Sequence, residues 1–387
     1  MPEKPIVVFD LCVTNNSPSG QDILGMLGGL YQEYQFTVLS DEFDDPAPGK
    51  IEWIRVPLPA KPIFLRFMAF QWLAPQYYQR YLQQNERPWL ILGTEGEYVD
   101  CDICWAHFCH AAYLNNQWPS NKSKGLRRVA RSINHRFNAN REAKAFKKAK
   151  VIVVPSKGLG NEVAQTYPAF ADKIVEIPNP IEIERFRRPE EFDSRPIRES
   201  FGFRDEDIVM VFIALGDFSR KGLDLLLEAI SKLSTSQAKL LVVGGSSSEV
   251  KEYEQIRDRL GLSERVAFAG FQKDVRPYLW SADLFVFPSA YETFSRIVFE
   301  ASAAGLPFIA TKVHGVVDVL EDGVNGWLVE REVGSITRVL EEVLKDKSRL
   351  REMGEVAKNK VQNYDVNSCV KRWRSLLQEL ELTHPSK

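Results

Sequence analysis

Glu292 and Glu300 stand eight positions apart in Pro288-Ser289-Ala290-Tyr291-Glu292-Thr293-Phe294-Ser295-Arg296-Ile297-Val298-Phe299-Glu300-Ala301-Ser302-Ala303-Ala304-Gly305-Leu306-Pro307. Carboxylates accept hydrogen bonds from hydroxyl groups, and a ribose or a hexose offers adjacent ones. Gly216-Asp217-Phe218-Ser219-Arg220-Lys221-Gly222 supplies the opposite charge. An arginine grips a diphosphate through its fork, and a lysine holds it as a compact charge. Acids for hydroxyls and cations for a diphosphate together suit a nucleotide sugar. Two solvated glutamates on a helix face and an exposed Arg-Lys pair are the plain alternatives.

The elements that must position these groups are legible around them. Asp283-Leu284-Phe285-Val286-Phe287 is a short apolar run closed by Pro288, which reads as a buried parallel strand that stops at its proline. A loop follows, and from Phe294 the apolar residues Ile297, Val298 and Ala301 fall at helical spacing, with Thr293 or Ser295 available to cap the first turn. Glu292 is therefore expected in the loop and Glu300 on the second helical turn, at the carboxyl edge of a parallel sheet, where open α/β folds bind ligands. Unpaired amides at such a helix start hold phosphates or sugar hydroxyls.

The whole stretch resembles the donor-site signature of retaining GT-B glycosyltransferases of family 4: a Pro-Ser, an E-x7-E pair and a Glu-Ala-x-Ala-x-Gly-x-Pro tail. The resemblance implies that Glu292 lies by the donor sugar, that Glu300 holds the nucleotide ribose, and that the backbone of Thr293, Phe294 and Ser295 meets the sugar and diphosphate. The segment from Gly216 resembles the family's phosphate-binding motif. It carries Asp217 where many members have Arg, and its adjacent Arg220 and Lys221 are similar to the lipopolysaccharide core glucosyltransferases. Gly20, in Ser19-Gly20 of the first strand-to-helix loop, resembles what remains of a glycine-rich turn facing the donor phosphate. His107 resembles the histidine many members place next to the transferred sugar, with His110 as its competitor; the sequence leaves open that either is a buried structural histidine. Gly270 and Phe271, closing Phe268-Ala269-Gly270-Phe271, resemble the strand end that reads the nucleotide base.

The fold expected is α/β, a GT-B arrangement of two Rossmann-like domains facing a cleft. Its 387 residues suit two domains. Residues 1–183 read as an N-terminal acceptor domain, with strands at Ile6 to Leu11, Phe36 to Leu39, Trp89 to Leu92, Asp102 to Ala106, Val151 to Val154 and Ile174 to Ile177. The charged run 184–205 reads as a linker, 206–365 as the nucleotide-sugar domain, and 366–387 as a terminal helix that returns to the first domain. No apolar run approaches the ~20 residues of a bilayer span. Five cysteines and no export signal point to reduced thiols and a cytoplasmic location. Alternation would turn Cys101 and Cys104 to opposite strand faces, which disfavours a zinc site despite His107, Cys109 and His110 nearby. Asp100-Cys101-Asp102 is taken as incidental.

Residues 122–150 carry eleven Lys and Arg against Glu142 alone, while the remainder holds 39 basic and 51 acidic residues. With the aromatic, basic run Phe64 to Leu73, this suggests peripheral contact with an anionic membrane; an ordinary solvated helix is the alternative. No nucleic-acid-binding signature accompanies the charge, so no nucleic acid partner is expected. The reading is a retaining hexosyltransferase that takes a nucleoside diphosphate sugar, a UDP-sugar favoured, to a glycan or lipid-linked acceptor without a required metal. His107, Glu292, Arg220 and Lys221 are its expected catalytic groups. A sugar-nucleotide epimerase, a glycan phosphorylase or a non-catalytic subunit of a polysaccharide assembly are the competitors.

Overall fold

Val7 and Phe9 face one core layer and Ile6 and Val8 the other. A strand buried on both faces, with helices covering each, carries such an unbroken apolar run. The computed structural model describes residues 4–60, 63–118 and 125–383; Lys122 and Lys124 of the basic run lie outside them, as do the side chains of Phe64 and Arg127.

From the N-terminus the elements are β1 (Pro5–Phe9), β2 (Cys12–Val13), α1 (Pro18–Leu30), β3 (Gln35–Ser40), β4 (Glu42–Phe43), β5 (Glu52–Arg55) and α2 (Ile63–Tyr81). There follow β6 (Leu90–Thr94), β7 (Ile103–Trp105), α3 (His110–Asn116), α4 (Gly125–Lys148), β8 (Val151–Val154), α5 (Lys157–Thr166) and β9 (Ile174–Glu176). After α6 (Ile183–Phe186) and α7 (Arg195–Ser200) come β10 (Ile208–Ala214), α8 (Phe218–Lys221), α9 (Leu223–Ser231), β11 (Ala238–Gly244) and α10 (Ser247–Arg259). The remainder is β12 (Val266–Gly270), α11 (Arg276–Trp280), β13 (Leu284–Phe287), α12 (Arg296–Ala303), β14 (Phe308–Thr311), α13 (Val316–Val319) and β15 (Gly326–Val329). Three helices close the chain: α14 (Val333–Val343), α15 (Lys347–Lys360) and α16 (Val366–Thr383).

Residues 1–180 with 366–387 form one compact unit and 181–365 a second. The first holds a parallel sheet in the order β5-β3-β1-β6-β7-β8-β9. Helices α1 and α16 cover one face, where Trp373 meets Trp105 edge to face at 4.6 Å. Gly29 of α1 has no side chain because a Cβ would come within 2.4 Å of Val370. Helices α2, α4 and α5 cover the other face. The expected opposition of Cys101 and Cys104 is corrected here: Cys101 precedes β7 instead of lying in it, and both thiols are buried in the same layer.

The second unit orders its parallel strands β12-β11-β10-β13-β14-β15. The expected linker over 184–205 is also corrected. Its charges mask Phe186 and Phe203, which are buried in this unit's core together with Ile183 just before the stretch, and Arg198 is buried because it pairs with Asp283 at 3.0 Å and donates to the Ser281 carbonyl. Among the described residues no helix is long and apolar enough to cross a membrane.

Candidate active site

In the second sheet the strand order reverses between β10 and β13, and ligands of open α/β sheets bind at the carboxyl edge of such a switch point. The turn after β10 is built first. Phe218 plunges into the core against Phe212 and Tyr253, and its backbone amide donates to Glu249 Oε1 at 2.7 Å. Asp217 takes a left-handed conformation with φ 58°, which leaves Gly216 and Asp217 outside the core and starts the single turn of α8. Gly222 ends it at φ 86°, where a Cβ would stand 2.3 Å from the Pro288 carbonyl oxygen. This close approach presses the Arg220-Lys221 turn onto the loop after β13, and the Ala290 amide donates to the Arg220 carbonyl at 2.9 Å.

The cations and the first glutamate meet there. Glu292 Oε1 receives Lys221 Nζ at 2.5 Å, the Ser289 hydroxyl at 2.6 Å and Arg220 Nη1 at 3.4 Å. Arg220 also donates to the Tyr291 carbonyl at 2.6 Å and to Asp217 Oδ2 at 3.0 Å. Lys221 lies over the Phe287 ring at 4.9 Å. Burial pulls the lysine below its ordinary pKa, and the Glu292 carboxylate opposes that pull. All three donors converge on one carboxylate oxygen, so Glu292 acts as the organiser of the cation pair as well as an acceptor.

Phe294 turns its ring into the core, stacked on Phe299 at 4.4 Å, which leaves its backbone at the sheet edge. Gly315 packs so close that a Cβ would reach 2.0 Å from the Phe294 carbonyl oxygen. Ser295 stands at the N-cap of α12, but the expected side-chain cap does not form. Its φ of 65° is left-handed, whereas a capping serine needs extended backbone to reach the next amides. The Ser295 hydroxyl is buried without a hydrogen-bond partner. Glu300 lies on the second turn of α12, 4.0 Å from Arg296, with its pKa raised by burial and countered by Arg296. Gly270 closes β12 at φ 65°, and the Phe271 ring beyond it is 66% exposed.

The first unit reverses its strand order between β1 and β6, and here the structure gathers groups that sequence reasoning missed. Asp10, directly after β1, accepts from Thr94 Oγ1 at 2.7 Å and from the Cys12 amide at 2.8 Å. Glu97, after β6, accepts from the Leu11 amide at 2.6 Å and lies 3.3 Å from Thr94 Oγ1, whose one proton faces the closer Asp10. Burial, reinforced by Asp10 and Glu95, holds the Glu97 carboxyl well above its usual range; burial raises Asp10 and Glu95 as well. Glu95 occupies φ 44°, a strained position for a residue with a side chain. The signal available in the sequence is an acid directly past an apolar strand, in Phe9-Asp10 and in Gly93-Thr94-Glu95-Gly96-Glu97.

His107 follows β7 at the same sheet edge, stacked on Trp105 at 5.1 Å, with Nε2 3.1 Å from Asp22 Oδ2. Its competitor His110 starts α3 and meets His135, Nδ1 to Nδ1, at 3.0 Å within a group of aromatic rings; burial and His135 push its pKa down to about 3. Gly20 lies in the first turn of α1, not in the preceding loop. A Cβ there would be 2.5 Å from the Thr14 amide nitrogen, so the glycine serves the contact between helix start and β2. Asp102 accepts from the Ile91 amide at 3.0 Å and pairs with Lys150 at 3.1 Å, and Asp100 pairs with Lys148. Among the described residues no group of three or more His, Cys, Asp or Glu is arranged to hold a metal.

A family model described as Glycosyltransferase Family 4 matches residues 26–185, and one described as Glycosyl transferases group 1 matches residues 193–360. The chain is 32% identical over 213 residues to the uncharacterized glycosyltransferase MJ1607 of Methanocaldococcus jannaschii, a match that covers 52% of each protein. It is 34% identical over 149 residues to the lipopolysaccharide core biosynthesis glycosyltransferase LpsE of Rhizobium meliloti, over 37% of this chain and 43% of the relative. The chain thus spans about half the length, or less, of these curated relatives. Among solved structures it resembles WaaG, a glycosyltransferase involved in lipopolysaccharide biosynthesis, with TM-score 0.75 at 20% identity over 96% of this chain and 99% of that one. It resembles HepE of Anabaena in complex with UDP and glucose with TM-score 0.72 at 20% identity, over 98% and 100%. The fold is the α/β GT-B fold, and with both units matched by glycosyltransferase models the chain belongs to the family 4 glycosyltransferases.

Proposed function

We propose that the chain transfers a hexose from a nucleoside diphosphate sugar to a hydroxyl of a glycan or lipid-linked glycan, with the anomeric configuration retained, in cell-surface polysaccharide or glycolipid synthesis. The observation that carries this reading is the convergence of Arg220 and Lys221 on Glu292 at the sheet's switch point. Paired with a carboxylate, the two cations stay charged in a partly buried site and are poised for a more highly charged diphosphate. The start of α12, where Ser295 makes no side-chain cap and its hydroxyl is buried without a partner, supports a phosphate or sugar contact there. Glu300 is assigned to the ribose, Gly270 and the exposed Phe271 to the base, and the backbone of Thr293 and Phe294 to the donor. Gly216 allows the phosphate turn its close approach, and His107 is assigned to the transferred sugar. A UDP-sugar is the favoured donor; HepE, which has the same fold, holds UDP and glucose.

In the transfer the sugar becomes oxocarbenium-like as its bond to the diphosphate breaks. The acceptor oxygen attacks from the same face, and the departing β-phosphate takes the acceptor proton. Arg220, Lys221 and the helix amides stabilise the charge that develops on the diphosphate, which is preorganised electrostatics. Incubation with a panel of nucleotide sugars and acceptors tests the reading. Acceptor-dependent release of nucleoside diphosphate and a product of retained configuration are expected. Free epimerised sugar or sugar phosphate would transfer the chain to the competing enzyme classes, and donor binding without turnover would make it a binding subunit.

The acceptor side points to a membrane. Helix α2 exposes Leu65, Met68 and Trp72 at a spacing that sets them on one face, and α4 combines its basic residues with exposed Val129 and Ile133. Apolar side chains beside cations favour peripheral attachment to an anionic bilayer at the cytoplasmic face. Flotation with anionic vesicles is expected and should fall when Leu65, Met68 and Trp72 are all changed to Ser; equal recovery from neutral vesicles would remove the electrostatic part.

A further inference from the structure

We infer that Asp22 is a positioning residue for His107: it anchors Nε2 and leaves Nδ1 as the one ring nitrogen free to exchange a hydrogen bond with a saccharide hydroxyl. The part concerning the saccharide rests on the glycosyltransferase reading, whereas the anchoring is a property of the resting protein.

The anchor is held by the start of α1. The Ser17 hydroxyl accepts from the Gly20 amide at 3.3 Å, and Gln21 Nε2 donates to the Asn15 carbonyl at 2.6 Å. Gly20 packs with no room for a Cβ. This first turn therefore cannot slide, and it delivers Asp22, whose side chain is 1% exposed, to within 3.1 Å of His107 Nε2. A carboxylate buried to that degree needs a positively polarised neighbour. Nε2 carrying its proton is such a neighbour, so Asp22 selects that tautomer, as carboxylates do for histidines elsewhere. The ring plane is fixed on its other side by stacking on Trp105 at 5.1 Å. Nδ1 is then the nitrogen whose state changes: an acceptor when the ring is neutral, a donor when it is charged. Nδ1 has no hydrogen-bond partner in the protein, whereas Nε2 meets Asp22 Oδ2 at 3.1 Å as a close charge contact that falls short of full hydrogen-bond geometry.

The charges that face the ring come from three elements: Asp22 on α1, Asp10 after β1 and Glu95 after β6. Burial opposes the charged ring, and these three carboxylates outweigh it, holding the pKa above its ordinary value. The groups at this edge therefore favour the charged ring while Asp22 keeps one nitrogen committed.

Nitrogen-15 NMR of the histidine-labelled protein tests this, with the His107 signals assigned through His107→Gln. The wild type is expected to show Nε2 protonated and Nδ1 bare in the neutral ring, with a pKa above that of a free histidine. Asp22→Asn is expected to lower that pKa by about one unit or more. It should also shift the acid limb of the pH-rate profile and reduce kcat tenfold or more, with little change in the donor KM. Asp22→Glu is expected to restore part of each effect. A wild-type His107 protonated on Nδ1 overturns the inference and needs no variant to fold; so does an unchanged pKa in Asp22→Asn. A chain that shows the expected tautomer but transfers no sugar defeats the proposed function alone and supports the Asp22 to His107 anchor.

Discussion

Burial pulls the Lys221 ammonium below its ordinary pKa, and the Glu292 carboxylate beside it opposes that pull. On the proposed function, removing the lysine does two things: the diphosphate loses a charge in the transition state, and Glu292 keeps Arg220 as a cation partner beside the Ser289 hydroxyl. Lys221→Ala is expected to lower kcat about 100-fold or more, the loss seen when one preorganised donor to a developing anion is deleted. Glu300→Ala acts differently, because the ribose contact proposed for Glu300 would be equal in ground and transition states. It should raise the nucleotide dissociation constant by about tenfold to 100-fold and spare kcat. Calorimetry with UDP and steady-state kinetics separate the two, and unchanged values in both variants would remove the site assignment. Arg220, Lys221, Glu292 and Glu300 are legible in the sequence because each pair lies within one contiguous motif. Asp10, Asp22, Thr94 and Glu97 are not, because single polar residues at the ends of separate elements acquire meaning only when the sheet order brings them together.

At the scale of the element, the turn holding the cations depends on a missing side chain. Gly222→Ala places a Cβ 2.3 Å from the Pro288 oxygen at a φ that an alanine resists, so the turn must lift from the β13 loop. Weakened donor binding is expected with intact Arg220 and Lys221, together with a loss of stability of about 1–3 kcal/mol in chemical denaturation. Helix α3 shows the opposite device. Its start has no capping side chain of its own, and Glu142 from α4 accepts from the His110 and Ala111 amides at 2.7 and 2.9 Å and from the Tyr167 hydroxyl at 2.9 Å. Burial raises the Glu142 pKa to about 7 against these bonds. Between the ordinary glutamate range and that value the folded protein holds a proton that the unfolded chain has released. Stability therefore falls as pH rises through this window, by an amount on the order of 3 kcal/mol. Glu142→Gln should flatten the change in unfolding free energy between pH 5 and 8 relative to wild type, while lowering stability throughout, since its amide cannot accept from both backbone donors. An identical pH slope in the two proteins would contradict the burial of this charge.

The central strands are legible in the sequence because unbroken runs such as Ile208-Val209-Met210-Val211-Phe212 permit little else. The two-residue strands β2 and β4, and the half-exposed β5, have no periodicity to read. The stretch 184–205 misleads because its charges outnumber the few apolar residues that fix it to the second core.

At the scale of the whole molecule, the chain does not divide in sequence order: α16 follows the second unit but belongs to the first. Val370, Trp373, Leu376, Leu377 and Leu380 recur at helical spacing and are all buried against the face that α1 covers. Trp373 is 1% exposed and meets Trp105, the residue on which His107 is stacked. The terminal helix is therefore part of the support beneath the histidine, although more than 250 positions separate the two. Two units with separate cores should unfold as distinguishable transitions. Trp373→Ala is expected to cost the first unit about 3–5 kcal/mol and to leave the second unit's transition where it was. It should also disturb the His107 resonances without altering UDP affinity, since the residues assigned to the nucleotide lie in 181–365. Calorimetric scans with and without UDP identify the transitions, because ligand raises only the one that belongs to the unit that binds it. A UDP-stabilised transition that drops in Trp373→Ala would mean that the nucleotide is held by the first unit, and the division of labour argued from the two sheet edges would fail.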